Sequence, residues 1–293
     1  MIQIQHTIVS PSLGLFRDQF CEKYNLTALP NQQPDQYNTP CVYFGCYDVN
    51  DANAIVRNQS KYKIIVWGGT DVTRAPQVNT LKADVNLRHV AISDYIANDL
   101  SKRGIEYKRV NITPVNHDKY DLSPIDLGDD VYMYGSKNPR DTFYGNHLIS
   151  TIQARCPGIT FHICHNRSHE RDDLIELYKK CFIGLRLTPR DGLPNTVIEL
   201  GLLGRRTIHN GNLPCSIPWR NIDDIVDIIH NEKASAELTD TIDGTKSIHR
   251  VHNDIVNYLN NTRDWLDCRY WYSESDAAKL EDNLPRRYIR YKL

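Results

Sequence analysis

The stretch RDGLPNTVIELGLLG, residues 190 to 204, places an acid, Asp191, before a Gly-x-Pro turn made by Gly192, Leu193 and Pro194. A second acid, Glu199, follows eight positions later in a segment that is otherwise apolar. The segment opens on proline and closes on glycine, the polarity of a short helix. Just upstream, CFIGLRL (181–187) has the pattern of a strand. Before it, ERDDLIELYKKC (170–181) is a helix with acids in its first turn and lysines in its last, as the helix dipole prefers. Downstream, RRTIHN (205–210) is a strand and NIDDIVDIIHN (221–231) a helix. Further back lie VYMYG (131–135), a strand ending in Gly135, the helical YGNHLISTIQARCPG (144–158) and the β-like ITFHICH (159–165). Strands alternating with helices predict βαβ units and a parallel sheet covered on both faces.

The N-terminal half is less regular but of the same kind. PCVYFGCY (40–47), YKIIVWGG (62–69), LRHVAISD (87–94) and YKRVNITPV (107–115) are strand-like, and SDYIANDLSKRG (93–104) is a helix stopped by Gly104. Segment 116–130, rich in Asp, Pro and Ser, has the composition of a connection. The expected division is a Rossmann-like domain over 1–120, a second over 121–232 and a helical segment over 233–293, where IHRVHNDIVNYLNNTRDWL (248–266) has helical spacing. The fold class expected is α/β, with two Rossmann-like domains whose parallel sheets face across a cleft.

Composition narrows the function. Of 293 residues, 40% are hydrophobic and 24% charged, ordinary values for a globular chain with a sizeable core. The formal net charge of −1 argues against nucleic acid as a partner and against an anionic membrane surface. The basic tail 286–292 is too short to change that and is expected to be a solvated terminus. Eight cysteines are scattered without a CxxC pair, several in apolar runs, which fits reduced, buried thiols. The N-terminus has no basic head followed by a long apolar run, and no apolar run approaches the ~18–20 residues that span a bilayer. A cytoplasmic location is expected.

Chemistry gathers at the acid pair. In an open parallel sheet, ligands bind beyond the carboxyl ends of the strands, which puts the loop after strand 181–187 on the rim. Backbone amides near Gly192 and Leu193, at a helix N-terminus begun by Pro194, suit an anion such as a diphosphate. Glu199, little more than one turn inside, can accept from two vicinal hydroxyls, as a ribose offers, and Asp191 can do the same for a second sugar. An anion flanked by polyols describes a nucleotide sugar. The plainer reading makes Asp191 a turn residue and Glu199 a solvated helix position, but the apolar surroundings of Glu199 leave little room for a solvated stripe.

DGLPNTVIE (191–199) resembles the E-x7-E element of retaining glycosyltransferases with the GT-B fold, particularly the large family 4 group, with Asp191 one methylene shorter than the usual first glutamate. The order of the flanking elements matches as well, and the resemblance covers about residues 60 to 230. IIVWGGTDV (64–72) is similar to the family's strand running into a glycine turn, and AISDYIANDLSKRG (91–104) to the helix ahead of its crossover. By that likeness Gly69, Thr70 and Asp71 lie on the acceptor side, although Asp71 can equally be the cap of the next helix. SPSLG (10–14) is a candidate for the first glycine loop. The resemblance also implies an Arg and a Lys neutralising the diphosphate, a leaving group whose extra charge cations favour. Residue by residue those positions carry Ser136 and Tyr144 here. Neighbouring Lys137 and Arg140 are the candidates, with Arg186 and Arg190 as alternates, and each has an ordinary surface charge as its competing reading.

What the resemblance implies is glycosyl transfer from a UDP- or GDP-linked sugar to a glycan, lipid-linked or protein acceptor. Retention at the anomeric carbon, no metal, no cofactor, and domain closure against water belong to the same expectation. The catalytic set is then Asp191, Lys137 and Arg140, and the donor-binding set Glu199, Gly192, Leu193, Pro194, Arg190 and Gly135. A metal reading of His162, His165 and His169 is disfavoured, because 162 and 165 point to opposite sides of a strand. The chain has no Asp-x-Asp, the usual mark of metal-dependent glycosyltransferases. The rival functions are other sugar-nucleotide chemistry on the same fold and a catalytically inactive sugar-nucleotide-binding module or subunit. A dehydrogenase would need a G-x-G-x-x-G after a strand, which is missing.

Overall fold

All strand pairing within the two sheets is parallel, as the strand–helix alternation requires. The computed structural model describes residues 3–30, 38–165, 169–237, 242–260 and 264–271; the basic tail 286–292 lies outside them. The chain divides into two units, one of 1–92, 96–115 and 262–293, the other of 93–95 and 116–261. The change of unit after 115 comes ahead of the expected 120/121 boundary, and the described residues 264–271 belong to the first unit rather than to a separate C-terminal segment.

The first unit holds strands β1 (His6–Val9), β2 (Thr27–Ala28), β3 (Cys41–Phe44), β4 (Lys63–Trp67), β5 (Leu87–Ala91) and β6 (Tyr107–Arg109), in the order β2-β1-β3-β4-β5-β6. β3 and β4 are buried at every position, the near-continuous apolar run of a sheet covered on both faces. Helices α1 (Arg17–Tyr24), α2 (Val49–Arg57), α3 (Ala75–Lys82) and α4 (Asp94–Lys102) connect them. Residues 264–271 complete this unit: Ile4 N donates to Leu266 O at 3.0 Å, and the Trp265 ring meets Tyr24 edge-on at 5.4 Å.

The second unit holds β7 (Asp130–Gly135), α5 (Ile149–Arg155), β8 (Phe161–His165), α6 (Arg171–Lys179), β9 (Cys181–Leu185), α7 (Asn195–Leu202), β10 (Arg206–Ile208), β11 (Ser216–Ile217), α8 (Ile222–Glu237) and α9 (Ile242–Asn260). Its sheet runs β11-β10-β9-β7-β8, so the order reverses between β7 and β9. Such a reversal opens a crevice beyond the strand ends, where ligands of doubly wound sheets bind. The core beneath is Val131, Met133, Phe182, Ile183, Leu185, Ile208, Ile225 and Ile229, all nearly inaccessible.

α7 is buried from Thr196 to Leu202, apolar on every side because it is sandwiched rather than laid on a surface. A Cβ on Gly184 would stand 2.3 Å from Leu200 Cδ1, so glycine in β9 is what lets α7 lie this close to the sheet. At its C-terminal end Gly204, with φ +89°, takes the left-handed conformation that closes a helix. Beyond it, α9 packs along α7 in the same unit.

Candidate donor-binding site

At the end of β9, Arg186, Thr188 and Asp191 form one polar knot. Arg186 places both Nε and Nη2 2.7 Å from Asp191 Oδ2. Thr188 Oγ1 donates to the same oxygen at 3.3 Å, and Gly192 N donates to Oδ1 at 2.9 Å. The Arg186 guanidinium lies 4.0 Å from the Tyr134 ring centroid and 5.4 Å from that of Tyr144. Its side chain is 12% exposed and that of Asp191 18%. Burial by itself would lower the Arg186 pKa, but Asp191 more than offsets it and the net shift is upward. The knot sits at the β7/β9 reversal, since Tyr134 is the penultimate residue of β7 and Arg186 directly follows β9.

Glu199 is 1% exposed on α7. Arg171 Nη1, at the start of α6, donates to Oε1, and Tyr178 Oη donates to Oε2 at 3.1 Å. His117 Nε2 stands 3.9 Å from Oε1. Burial pushes the Glu199 pKa up to about 7, with Arg171 and Tyr178 pulling the other way. The Arg171 guanidinium lies 5.4 Å from the Tyr120 ring, and at 24% exposure it is the outer partner of the pair. None of Arg171, Tyr178, Tyr120 and His117 was among the residues expected from sequence. The usable signal is that Arg171 and Tyr178 are seven apart, two turns of one helix, and so share a face.

The remaining candidates fall in different places. Gly135 is buried at the end of β7, where Asn146 braces the following loop by accepting from Ser136 N at 3.0 Å and donating to Ser136 O at 2.7 Å. Lys137 and Arg140 lie on that loop, exposed, with no side-chain partner among the described residues. Arg190 is exposed, its guanidinium 5.7 Å from the Tyr95 ring. Pro194 is the N-cap residue of α7 rather than its first helical residue, and no side chain caps that terminus. The Gly192 amide is already spent on Asp191, so of the two amides expected to serve an anion, Gly192's is not free. Leu193 is 8% exposed.

In the first unit, Asp71 is fully buried and accepts from the backbone N–H groups of Cys46, Gly68, Gly69 and Val72 at 3.1, 3.0, 2.8 and 3.0 Å. Its carboxylate thus ties the loops after β3 and β4 together and does not face outward; Gly69 is buried beside it, and Thr70 is exposed on that loop. The SPSLG segment follows β1 directly. There Ser10 Oγ donates to Asp51 Oδ2 at 2.7 Å, while a Cβ on Gly14 would meet nothing within 4 Å. His162 pairs with Asp130 at 2.8 Å. All eight cysteines are free, and seven are buried. Among the described residues no helix is long and apolar enough to cross a membrane.

No family model and no curated protein matches this chain. Solved structures do. A glycosyltransferase from Rickettsia africae ESF-5 superposes with a TM-score of 0.61 at 12% identity, covering 97% of this chain and 100% of that one. The fold is GT-B. TarM follows at a TM-score of 0.54 and 11% identity over 84% of this chain and 55% of its own. The sucrose-phosphate synthase of Thermosynechococcus elongatus gives 0.54 and 11% over 92% and 81%. At such identities the likeness concerns architecture, and the chemistry of this GT-B chain has to be argued from its own site.

Proposed function

We propose that the protein transfers a glycosyl group from a nucleotide-diphosphate sugar, with the second unit binding the donor. The observation that carries this is the pair Asp191 and Glu199 bracketing the uncapped N-terminus of α7 beside the strand-order reversal. Glu199 takes the ribose hydroxyls, approached through the position Arg171 now occupies, and Asp191 takes the transferred sugar. The diphosphate lies between them, at the positive end of α7, with a cation from the surrounding basic residues. Gly69 and Thr70 of the first unit are proposed for the acceptor. Retention and independence from metal and cofactor follow the family 4 resemblance of the 191–199 element, and the architectures of the Rickettsia africae glycosyltransferase and the sucrose-phosphate synthase agree with a transferase. The acceptor is a glycan, lipid-linked or protein hydroxyl.

A thermal-shift panel of UDP- and GDP-sugars, followed by donor-hydrolysis assays on any that bind, tests the reading. One donor is expected to raise the Tm and to be hydrolysed slowly without acceptor. Binding without turnover would instead mark an inactive binding module, and no binding by any member would sink the donor assignment.

A further inference from the structure

The side chain of Arg186 is only 12% exposed, yet among the described residues it has one hydrogen-bonding partner. A guanidinium carries five N–H donors, and those of Nε and Nη2 that are used converge on a single oxygen, Asp191 Oδ2. The rings of Tyr134 and Tyr144, themselves 5.4 Å apart, lie 4.0 and 5.4 Å from it, and neither hydroxyl accepts from the guanidinium. Among the described residues no Arg186 atom is both buried and unpartnered, so the donors Asp191 does not use open to solvent and can exchange water for an anionic acceptor supplied from outside. It stands at the β7/β9 reversal, on the segment that runs from the end of β9 through Asp191 to the start of α7, a helix N-terminus whose dipole also favours negative charge. Lys137 and Arg140, by contrast, are exposed on a loop, where a single charge contributes little.

We propose that Arg186 is the cation that binds the diphosphate, with Tyr134, Tyr144 and Asp191 holding its planar fork in position. The inference rests on the donor site proposed above and names which basic residue serves it. Pairing with Asp191 Oδ2 fixes the guanidinium plane, so its free edge can meet two phosphate oxygens at little ordering cost. A lysine at this position would supply charge without the fork.

The test is calorimetric titration of the full chain with UDP, GDP, uridine, guanosine and inorganic pyrophosphate, for wild type, Arg186→Gln, Arg186→Lys and the double variant Lys137→Gln/Arg140→Gln. Arg186→Gln is expected to weaken the preferred nucleoside diphosphate and pyrophosphate by about 10- to 100-fold, as loss of charge-assisted bonds implies, with its nucleoside unchanged. Arg186→Lys should fall between, and the loop double variant within about threefold of wild type. A thermal melt and the nucleoside titration confirm that each variant keeps its pocket; should Arg186→Gln not fold, Arg186→Lys carries the comparison. Equal diphosphate affinity in wild type and the folded Arg186 variants would overturn the proposal, as would a loss confined to the loop variant. Wild type that binds pyrophosphate through Arg186 but no nucleotide would sink the nucleotide-sugar reading while leaving the anion site standing. Wild type that binds neither sinks both.

Discussion

Burial holds the Glu199 carboxyl at a pKa of about 7, up from an ordinary 4.5. Ionisation therefore favours the unfolded chain between those values, so this residue subtracts from stability as pH rises from 4.5 to 7 and its penalty is complete above that. For binding the sign is opposite. Only the carboxylate can accept from two hydroxyls at once, and at pH 6 about nine-tenths of the free protein would carry it protonated. Affinity for a nucleotide sugar, whose diester phosphates do not titrate in this range, should fall roughly tenfold from pH 8 to pH 6. Glu199→Gln should bind about 10- to 100-fold more weakly at pH 8 and show a flat profile. Parallel profiles for wild type and variant would assign the titration to another group and remove Glu199 from the ribose. A carboxylate in an apolar run is conspicuous in one dimension, which is why Glu199 was legible from sequence. Its partners were not, because Arg171 and Tyr178, although their spacing puts them on one face, lie on a different helix, and nothing in the sequence says that this face meets α7. Tyr134 and Tyr144, ten residues apart, meet over Arg186 only once the loop after β7 has folded back.

Between α7 and β10 the packing is held by an arginine that no ligand argument needs. Arg205 is fully buried, and its guanidinium donates to the carbonyls of Cys181 at 3.2 Å, Ile125 at 2.9 Å, Asp126 at 2.6 Å and Lys179 at 3.2 Å, and to that of Leu203. Burial lowers its pKa to about 10, still charged at neutral pH. One side chain thereby closes the end of α6, the start of β9, the end of α7 and the segment that enters β7. Arg205→Met would leave the buried carbonyls of Cys181 and Leu203 without a donor and should cost about 3–5 kcal/mol in urea unfolding. Arg205→Lys should recover less than half of that, since one ammonium cannot reach all five. A loss below about 1 kcal/mol would show that the carbonyls find other partners. Elements of this unit were legible because long apolar strands alternate with helices bearing proper termini. In the first unit β1, β2, α1, α2 and α3 were not legible. α1 buries Phe20 alone. α2 announces itself by an Asp48/Asp51 capping box, a less usual pairing than Ser or Thr with Glu. β1, four residues long, has no flanking pattern to mark it.

At the scale of the chain, the two sheets do not own contiguous sequence. α9 packs on α7 in the second unit, and the described residues after it return to the first, where Gln3 bridges Asp267 and Trp265 lies against Tyr24. Lys108, on the edge strand β6, sits 4.1 Å from the Tyr270 ring and 5.0 Å from that of Trp271. The sequence DWLDCRYW (264–271) turns aromatic after a more polar helix, but nothing in it says which unit those rings join. The consequence is a separation of stabilities. A chain ended at residue 261 keeps α9 and everything that surrounds α7, but uncovers Ile4, Tyr24 and Lys108 in the first unit. Hydrogen exchange should then show faster exchange by about 10- to 100-fold in β1, α1 and β6, the loss of one to three kcal/mol of local protection that exposing one aromatic cluster implies. Protection in β7, β9 and α7 should stay within about twofold, and nucleotide-sugar binding to the second unit should persist. Equal loss across both sheets would mean that the removed residues stabilise the whole chain cooperatively, and the separation that the packing of 264–271 implies would not hold.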